Sequence, residues 1–177
     1  MHNDNIIHQL KKERNKKMGS DMLVNLSRLN YAAYAENEKL LSETRGIKII
    51  RPLSPSFYKV GAFIRETFSE GWESEAYAGM YNKPVSLFVA VDNEKRIVGF
   101  ACYDATARGF FGPVGVREET RENGVGAALI RKCMADMWEQ GYGYAVIGGA
   151  GPIGFYEKTV GAITIPDDKP SVYSRML

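Results

Sequence analysis

The sequence predicts a mixed α/β domain, of the α+β type, in which helices flank a mostly antiparallel central sheet. Apolar runs at residues 85–91 and 97–105 predict two strands, and Asp92 and Asn93 between them favour the turn of a hairpin. Apolar side chains recur every fourth residue from 125 to 137, which indicates an amphipathic helix. A length of 177 residues is enough for one domain with a substantial core.

The first 46 residues are expected to lie outside the main domain. Residues 1–20 carry a net charge of +3, which leaves −1 for the remaining chain, so we interpret them as a basic, flexible tail. Residues 21–46 are predicted to be an N-terminal extension that packs on the domain and is helical in its second half. The domain itself is then expected to span residues 47–177.

The elements before the hairpin are a strand and a helix. Residues 47–53 predict a strand that Pro52 ends, and residues 54–72 predict a helix from the spacing of their apolar side chains. Ser54 is the expected N-cap, Pro55 the first helical residue, and Gly71 the stop.

The elements after the hairpin complete the layout. Residues 108–116 predict a third antiparallel strand, interrupted by Gly112 and Pro113. The amphipathic helix then ends near Gly141, a buried strand covers residues 144–149, and a short helix and a terminal strand pair follow.

Composition excludes several functions. The only histidines, His2 and His8, lie in the tail, which argues against a metal site and against His-based triads. Cys102 and Cys133 sit in apolar segments and are expected to be small core residues in a reducing compartment. The near-neutral body does not favour nucleic acid, and the absence of a long apolar run or signal peptide predicts a cytoplasmic protein that does not bind membranes.

Residues 149–154 read G-x-G-x-x-G, which alone would suggest a dinucleotide-binding turn. Asp167 and Asp168 even lie where a ribose-binding carboxylate would be expected. However, Gly161, Pro166 and Pro170 interrupt the segment that follows, so no further strand–helix unit can form there. We therefore interpret this stretch as a glycine-rich bend between a strand and a helix.

A second glycine turn carries more information. Residues 121–126 read R-E-N-G-V-G at the start of the amphipathic helix, and glycines without Cβ atoms would leave backbone N–H groups open to a phosphate. The alternative is tight packing at a strand-to-helix turn. The segment matches R/Q-x-x-G-x-G/A and resembles the acetyl-coenzyme A-binding motif of the GNAT family of N-acetyltransferases, over roughly residues 47–177.

This resemblance implies a fold and a cofactor site. The strand after the long helix would splay from its neighbour, and the cleft would hold acetyl-CoA as the acyl donor, with no metal. Two departures are visible: glycines and Ala150 replace the Asn that many members place at the crossing, and Glu122 replaces a frequent glycine. The implied cofactor-binding residues are Val114, Gly115, Val116, Arg121, Glu122, Asn123, Gly124, Val125, Gly126, Ala127 and Tyr156.

Acetyl transfer to an amine needs a base, a donor to the oxyanion and a proton for the departing thiolate. The resemblance implies that Tyr156 gives this proton, whereas the alternative is a tyrosine packed with its hydroxyl on a carbonyl. Backbone N–H groups near Val114 to Val116 would polarise the carbonyl.

The acceptor side rests on an acidic stretch. Glu66, Glu70, Glu73 and Glu75 follow Arg65 with no interleaved basic residue, and Trp72 among them suits a cationic ligand. Glu73 and Asp104 are the candidates for the base, and Glu70, Trp72, Glu75 and Tyr103 are the candidates for binding the acceptor. A solvated acidic face is the alternative.

The predicted function is therefore N-acetylation of a small, cationic primary amine by direct attack on acetyl-CoA. A non-catalytic acyl-CoA sensor of the same fold remains open as an alternative, since the glycine turn fits both. The expected assembly is a monomer or a homodimer.

Overall fold

The computed structural model describes residues 19–177, so the predicted tail lies almost entirely outside the described residues. The seven strands are β1 (Ser20–Asn25), β2 (Lys48–Ile50), β3 (Leu87–Val91), β4 (Ile97–Tyr103), β5 (Phe110–Val116), β6 (Tyr144–Ala150) and β7 (Ile163–Thr164). The five helices are α1 (Tyr31–Arg45), α2 (Phe57–Thr67), α3 (Glu70–Tyr81), α4 (Val125–Glu139) and α5 (Ile153–Val160).

All seven strands form one sheet in the order β2-β3-β4-β5-β6-β1-β7. Every neighbouring pair is antiparallel except β5 and β6, which are parallel. The predicted mixed architecture with a mostly antiparallel sheet is confirmed, as is the hairpin of β3 and β4.

Helices cover both faces of the sheet, and each face has its own core. On one face α1, α4 and α5 bury their apolar sides, and Cys133 lies in this core. On the other face α2 and α3 pack over Phe100 and Cys102. Both cysteines are free and buried, as predicted for small core residues.

The segment before residue 47 enters the sheet. The helix predicted in its second half is present as α1, but its first half is β1, which lies between β6 and β7. Met22 and Val24 of β1 are fully buried. The boundary predicted between residues 46 and 47 stays a prediction, although the sheet is continuous across it.

The helix predicted over residues 54–72 is divided. Residues 54–56 form a separate 3₁₀ turn, α2 begins at Phe57 and ends at Thr67, and Gly71 lies inside α3. The expectation that Gly71 stops the helix is wrong, because the Ser69 side chain caps a new helix by accepting the Trp72 N–H at 3.2 Å.

A cleft opens between β5 and β6. These strands pair only at Phe110 with Val146 and at Phe111 with Ile147, and they diverge beyond those residues. The G-x-G-x-x-G stretch then forms the end of β6 and the crossing to α5, as predicted. The terminal strand pair reduces to the two residues of β7, followed by a 3₁₀ turn at Val172–Arg175.

Candidate active site

A cavity of about 1190 Å³ fills the gap between the diverging strands. Its lining residues come in part from the N-terminus of α4 and the helix α5, and in part from α3 and the segment after β7. We call the first part of the lining the cofactor end and the second part the acceptor end. The predicted cofactor-binding residues that line the cavity are Val114, Gly115, Val116, Arg121, Glu122, Gly124, Gly126, Ala127 and Tyr156.

The N-terminus of α4 presents open backbone donors. Its first intrahelical bond runs from the Ala128 N–H to the Gly124 carbonyl, and no side chain caps the helix. The N–H groups of residues 125–127 therefore have no helical acceptor. Gly124 adopts φ +79°, and a Cβ on Gly126 would stand 3.6 Å from both Phe155 and Val116. This is the arrangement that a phosphate group requires.

The rest of the turn departs in part from the prediction. The Arg121 Nε donates to the Val116 carbonyl at 3.3 Å, so the guanidinium ties the turn to β5. Glu122 adopts φ +68°, a left-handed conformation that favours glycine. Asn123 and Val125 do not line the cavity, and the Val125 side chain is buried in the core.

The edge of β5 offers further donors. The Arg117 N–H donates to the Val98 carbonyl at 2.8 Å on β4. Because bonding direction alternates along a strand, the N–H groups of Val116 and Val114 point to the opposite edge, where β6 has diverged. They are two of the N–H groups, near Val114 to Val116, that the family resemblance implied would polarise a carbonyl.

Tyr156 lies on α5 at the cofactor end and is 7% exposed. Within residues 19–177 its hydroxyl has no hydrogen-bond partner, so the packed alternative, with the hydroxyl on a carbonyl, has no support from these contacts. Burial raises the pKa of Tyr156 above the ordinary value of a tyrosine. The phenol therefore stays protonated at neutral pH and is able to donate.

The acceptor end brings together Trp72 and Glu75, which lie one helical turn apart on α3. The Thr106 hydroxyl donates to Glu75 Oε1. In the described part of the chain Glu75 forms no ion pair, although its side chain is partly buried. Its second oxygen is therefore available to a cation.

Glu70 and Glu73 do not reach the cavity. Glu73 is 8% exposed and lies between α2 and α3, where it pairs with Arg65 at 3.5 Å and accepts the Tyr77 hydroxyl at 3.1 Å. Glu70 is exposed in the first turn of α3. The structure thus places Glu73, a predicted base, in a contact between helices, because α3 begins at residue 70 and turns this side chain towards α2.

Asp104 and Tyr103 also lie away from the cavity. Asp104 accepts the Gly109 N–H at 2.6 Å and the Tyr142 hydroxyl, and it thereby holds the loop between β4 and β5. The buried Tyr103 hydroxyl donates to Asp136 at 2.6 Å, on the face covered by α4. Alternation along β4 explains this, since Tyr103 points to the face opposite α3.

The sequence analysis missed several residues near the cavity, and four of them line the acceptor end or hold the bend of β6. Phe68, Thr106 and Tyr173 line the acceptor end, while Asp21 of β1 accepts the Gly149 N–H at 2.8 Å and holds the bend of β6. The sequence contained a signal for Phe68 alone. A helix cap at Ser69 places the preceding residue at a junction between two helices. The positions of Thr106, Tyr173 and Asp21 depend on contacts with residues far away in the chain. Asp168 accepts the Asp21 N–H at 2.6 Å instead of facing a ribose.

The structure adds two general findings. Among residues 19–177, no group of three or more His, Cys, Asp or Glu side chains is placed to hold a metal ion. No helix in this same range is long and apolar enough to cross a membrane.

The open backbone donors at the N-terminus of α4 provide a site for a phosphate group in this cleft. Residues 57–162 match the family model of the acetyltransferase (GNAT) family. This match covers more than half of the chain, and the chain belongs to that family. No curated protein matches the chain.

Two solved structures are similar in fold. One is a GCN5-related glucosamine N-acetyltransferase region of a fungal multi-domain GH3 β-N-acetylglucosaminidase, with a TM-score of 0.67 and 16% identity over 82% of this chain and 19% of that one. The other is a GCN5-related N-acetyltransferase from Sphaerobacter thermophilus, with a TM-score of 0.60 and 16% identity over 89% and 53%. The chain thus spans about a fifth and about half of these proteins.

Proposed function

We propose that the protein is an N-acetyltransferase that transfers acetyl from acetyl-CoA to a small, cationic primary amine by direct attack. The observation that carries the proposal is the joint placement of the open N-terminus of α4 and the buried Tyr156 in one cleft. Glu75, at the other end of the same cleft, supplies a carboxylate for the amine.

The residues of the cleft fit acetyl-CoA. The free N–H groups of residues 125–127 and the positive end of the α4 dipole would hold the pyrophosphate. The free edge of β5 offers N–H groups to a carbonyl. Bound acetyl-CoA would supply the thioester, whose carbonyl carbon forms a C–N bond with the amine as the C–S bond breaks.

The chain's own groups would then take part in three proton transfers. Glu75, directly or through water, takes a proton from the ammonium so that the nitrogen can attack. Tyr156 gives its hydroxyl proton to the departing sulfur, and its raised pKa keeps that proton available at neutral pH. The second proton, which the nitrogen loses as the amide forms, then returns to the Tyr156 oxygen directly or through water. We propose Glu75 as the base because it is the carboxylate of α3 that lines the cavity.

A substitution at Gly126 tests the donor site. Gly126→Ala adds a Cβ at ordinary contact distances, whereas Gly126→Val adds two methyl groups that project towards the phosphate path. We expect Gly126→Val to weaken acetyl-CoA binding by at least about tenfold in calorimetry. Gly126→Ala is the matched control and should retain most of the affinity.

Undiminished affinity in a folded Gly126→Val protein would contradict the site. A thiol-release assay with an amine panel then tests transfer itself. Binding of acetyl-CoA without thiol release for any amine would contradict the transferase and favour the sensor.

A further inference from the structure

We propose that the acceptor is a monoamine with an aromatic or large apolar body, in preference to a diamine, a polyamine or an amino sugar. This inference rests on the proposed function and concerns the acceptor end of the same cavity. At this end one carboxylate lies beside aromatic side chains. Such a site matches a ligand that carries one positive charge and a flat apolar group.

Within residues 19–177, one anionic side chain, that of Glu75, lines the acceptor end of the cavity. The charged lining residues of the whole cavity are Glu75, Arg121 and Glu122, and the last two lie on the turn before α4. Of the four glutamates in the acidic stretch, the other three stand outside the cavity or between helices. A second ammonium group would therefore have no counter-charge and would lose hydration without compensation.

Aromatic side chains form the wall beside Glu75. The Phe68 and Trp72 rings lie 5.3 Å apart between centroids, and the fully buried Phe100 ring supports them at 5.5 and 6.1 Å. The Phe68 ring covers Gly115 so closely that a Cβ there would stand 2.5 Å from it. This packing fixes the rings, while Trp72 remains 37% exposed towards the cavity.

Neutral groups complete the acceptor end. Tyr173 and Met176 come from the segment after β7, and Tyr173 covers Gly148 of β6. Burial and the nearby charge of Glu75 raise the pKa of Tyr173 to about 12, so the phenol is neutral at physiological pH. The hydroxyl groups of Ser74, Thr106 and Tyr173 also line the cavity, but most of its wall is apolar. Most hydroxyl groups of a sugar would therefore lose water without gaining a partner, which would oppose binding.

The test is an acceptor panel with the full chain at saturating acetyl-CoA. We expect 2-phenylethylamine to exceed propylamine in kcat/KM by roughly tenfold to a hundredfold, because a ring is buried. We expect 1,4-diaminobutane and glucosamine to be no better than propylamine. Phenylalanine, which adds a carboxylate beside the amine, should be poor because Glu75 repels it.

A pair of variants links the preference to the wall. Trp72→Ala should reduce the ratio of kcat/KM for 2-phenylethylamine to that for propylamine at least about fivefold. Trp138→Ala is the control, since Trp138 is a similarly exposed tryptophan on α4 that does not line the cavity. Its ratio should stay at the wild-type value, and a ratio is insensitive to a partly unfolded sample.

The outcomes separate the two proposals. A preference for glucosamine or the diamine, or an unchanged ratio in Trp72→Ala, would overturn this inference while the transferase stands. Failure of every amine to release thiol, with acetyl-CoA bound, would overturn the proposed function.

Discussion

Tyr156 is the residue at which proton donation can be separated from packing. Tyr156→Phe keeps the ring in a nearly closed environment and removes a hydroxyl that has no partner among residues 19–177. We therefore expect little change in thermal stability, and a fall in turnover of roughly ten- to a thousandfold.

The pH profile supplies a control for this variant. Because burial raises the pKa of Tyr156 above the ordinary value of a tyrosine, its proton is retained across the assay range, and the wild-type rate should rise with pH through loss of the ammonium proton. Wild type and Tyr156→Phe should share this rising limb between about pH 6 and 9. Unchanged turnover in the variant would leave Tyr156 a packing residue.

Glu122 is expected to limit affinity for the acyl donor. Its φ of +68° is unfavourable for a residue with a Cβ, and its carboxylate lines the cofactor end, where phosphates would bind. We predict that Glu122→Gly raises acetyl-CoA affinity several-fold and stabilises the fold by up to about 1 kcal/mol.

Glu122→Gln separates the two causes, since it removes the charge and keeps the Cβ. Calorimetry should show most of the gain in affinity in this variant, and the gain should shrink as salt rises. Denaturant unfolding should show the gain in stability for the glycine variant alone. Weaker binding in both variants would mean that Glu122 contributes a favourable contact.

At the scale of the element, the start of α3 decides which glutamate faces the cavity. The Ser69 cap begins this helix at Glu70, and the helical repeat then directs Trp72 and Glu75 to the cavity and Glu73 to α2. We predict that Ser69→Ala destabilises the protein by about 1 kcal/mol and lowers kcat/KM for the amine more than for acetyl-CoA.

Ser54 provides the matched control. The sequence suggested it as a helix cap, but it lies exposed in a 3₁₀ turn whose start has no side-chain cap. Ser54→Ala should change the free energy of unfolding by less than about 0.5 kcal/mol. Equal effects of the two substitutions in urea unfolding would show that the Ser69 cap does not hold α3.

At the scale of the whole molecule, the N-terminal strand β1 pairs with β6, which borders the cleft. Met22, Val24 and Leu26 are fully buried, and β1 connects β6 to β7. Burial of three such side chains contributes several kcal/mol, comparable with a typical total stability of about 5–15 kcal/mol. We predict that a fragment of residues 47–177 does not unfold cooperatively, whereas the full chain does.

Near-ultraviolet circular dichroism and thermal scans would measure this difference. A cooperative transition in the fragment would support a domain that begins at residue 47. The prediction also concerns the site, since Asp21 of β1 holds the bend at Gly149 that lines the cavity.

Features that depend on neighbouring residues could be predicted from the sequence. The repeat of α4, the hairpin of β3 and β4, and the glycine turn at residues 121–126 were predicted because periodicity and turn chemistry are local. The cap at Ser69 is also local, and it was missed because Gly71 was interpreted as a stop.

The place of β1 in the sheet and the identity of the carboxylate at the acceptor end depend on long-range packing. Strand pairing between residues about 120 apart leaves no pattern within either strand, so the sequence showed β1 as a mixed segment. Glu73 and Glu75 have the same side chain and lie only two residues apart in the chain. Their roles differ because α3 packs on α2 with one face and borders the cavity with another, which is set by the sheet beneath them.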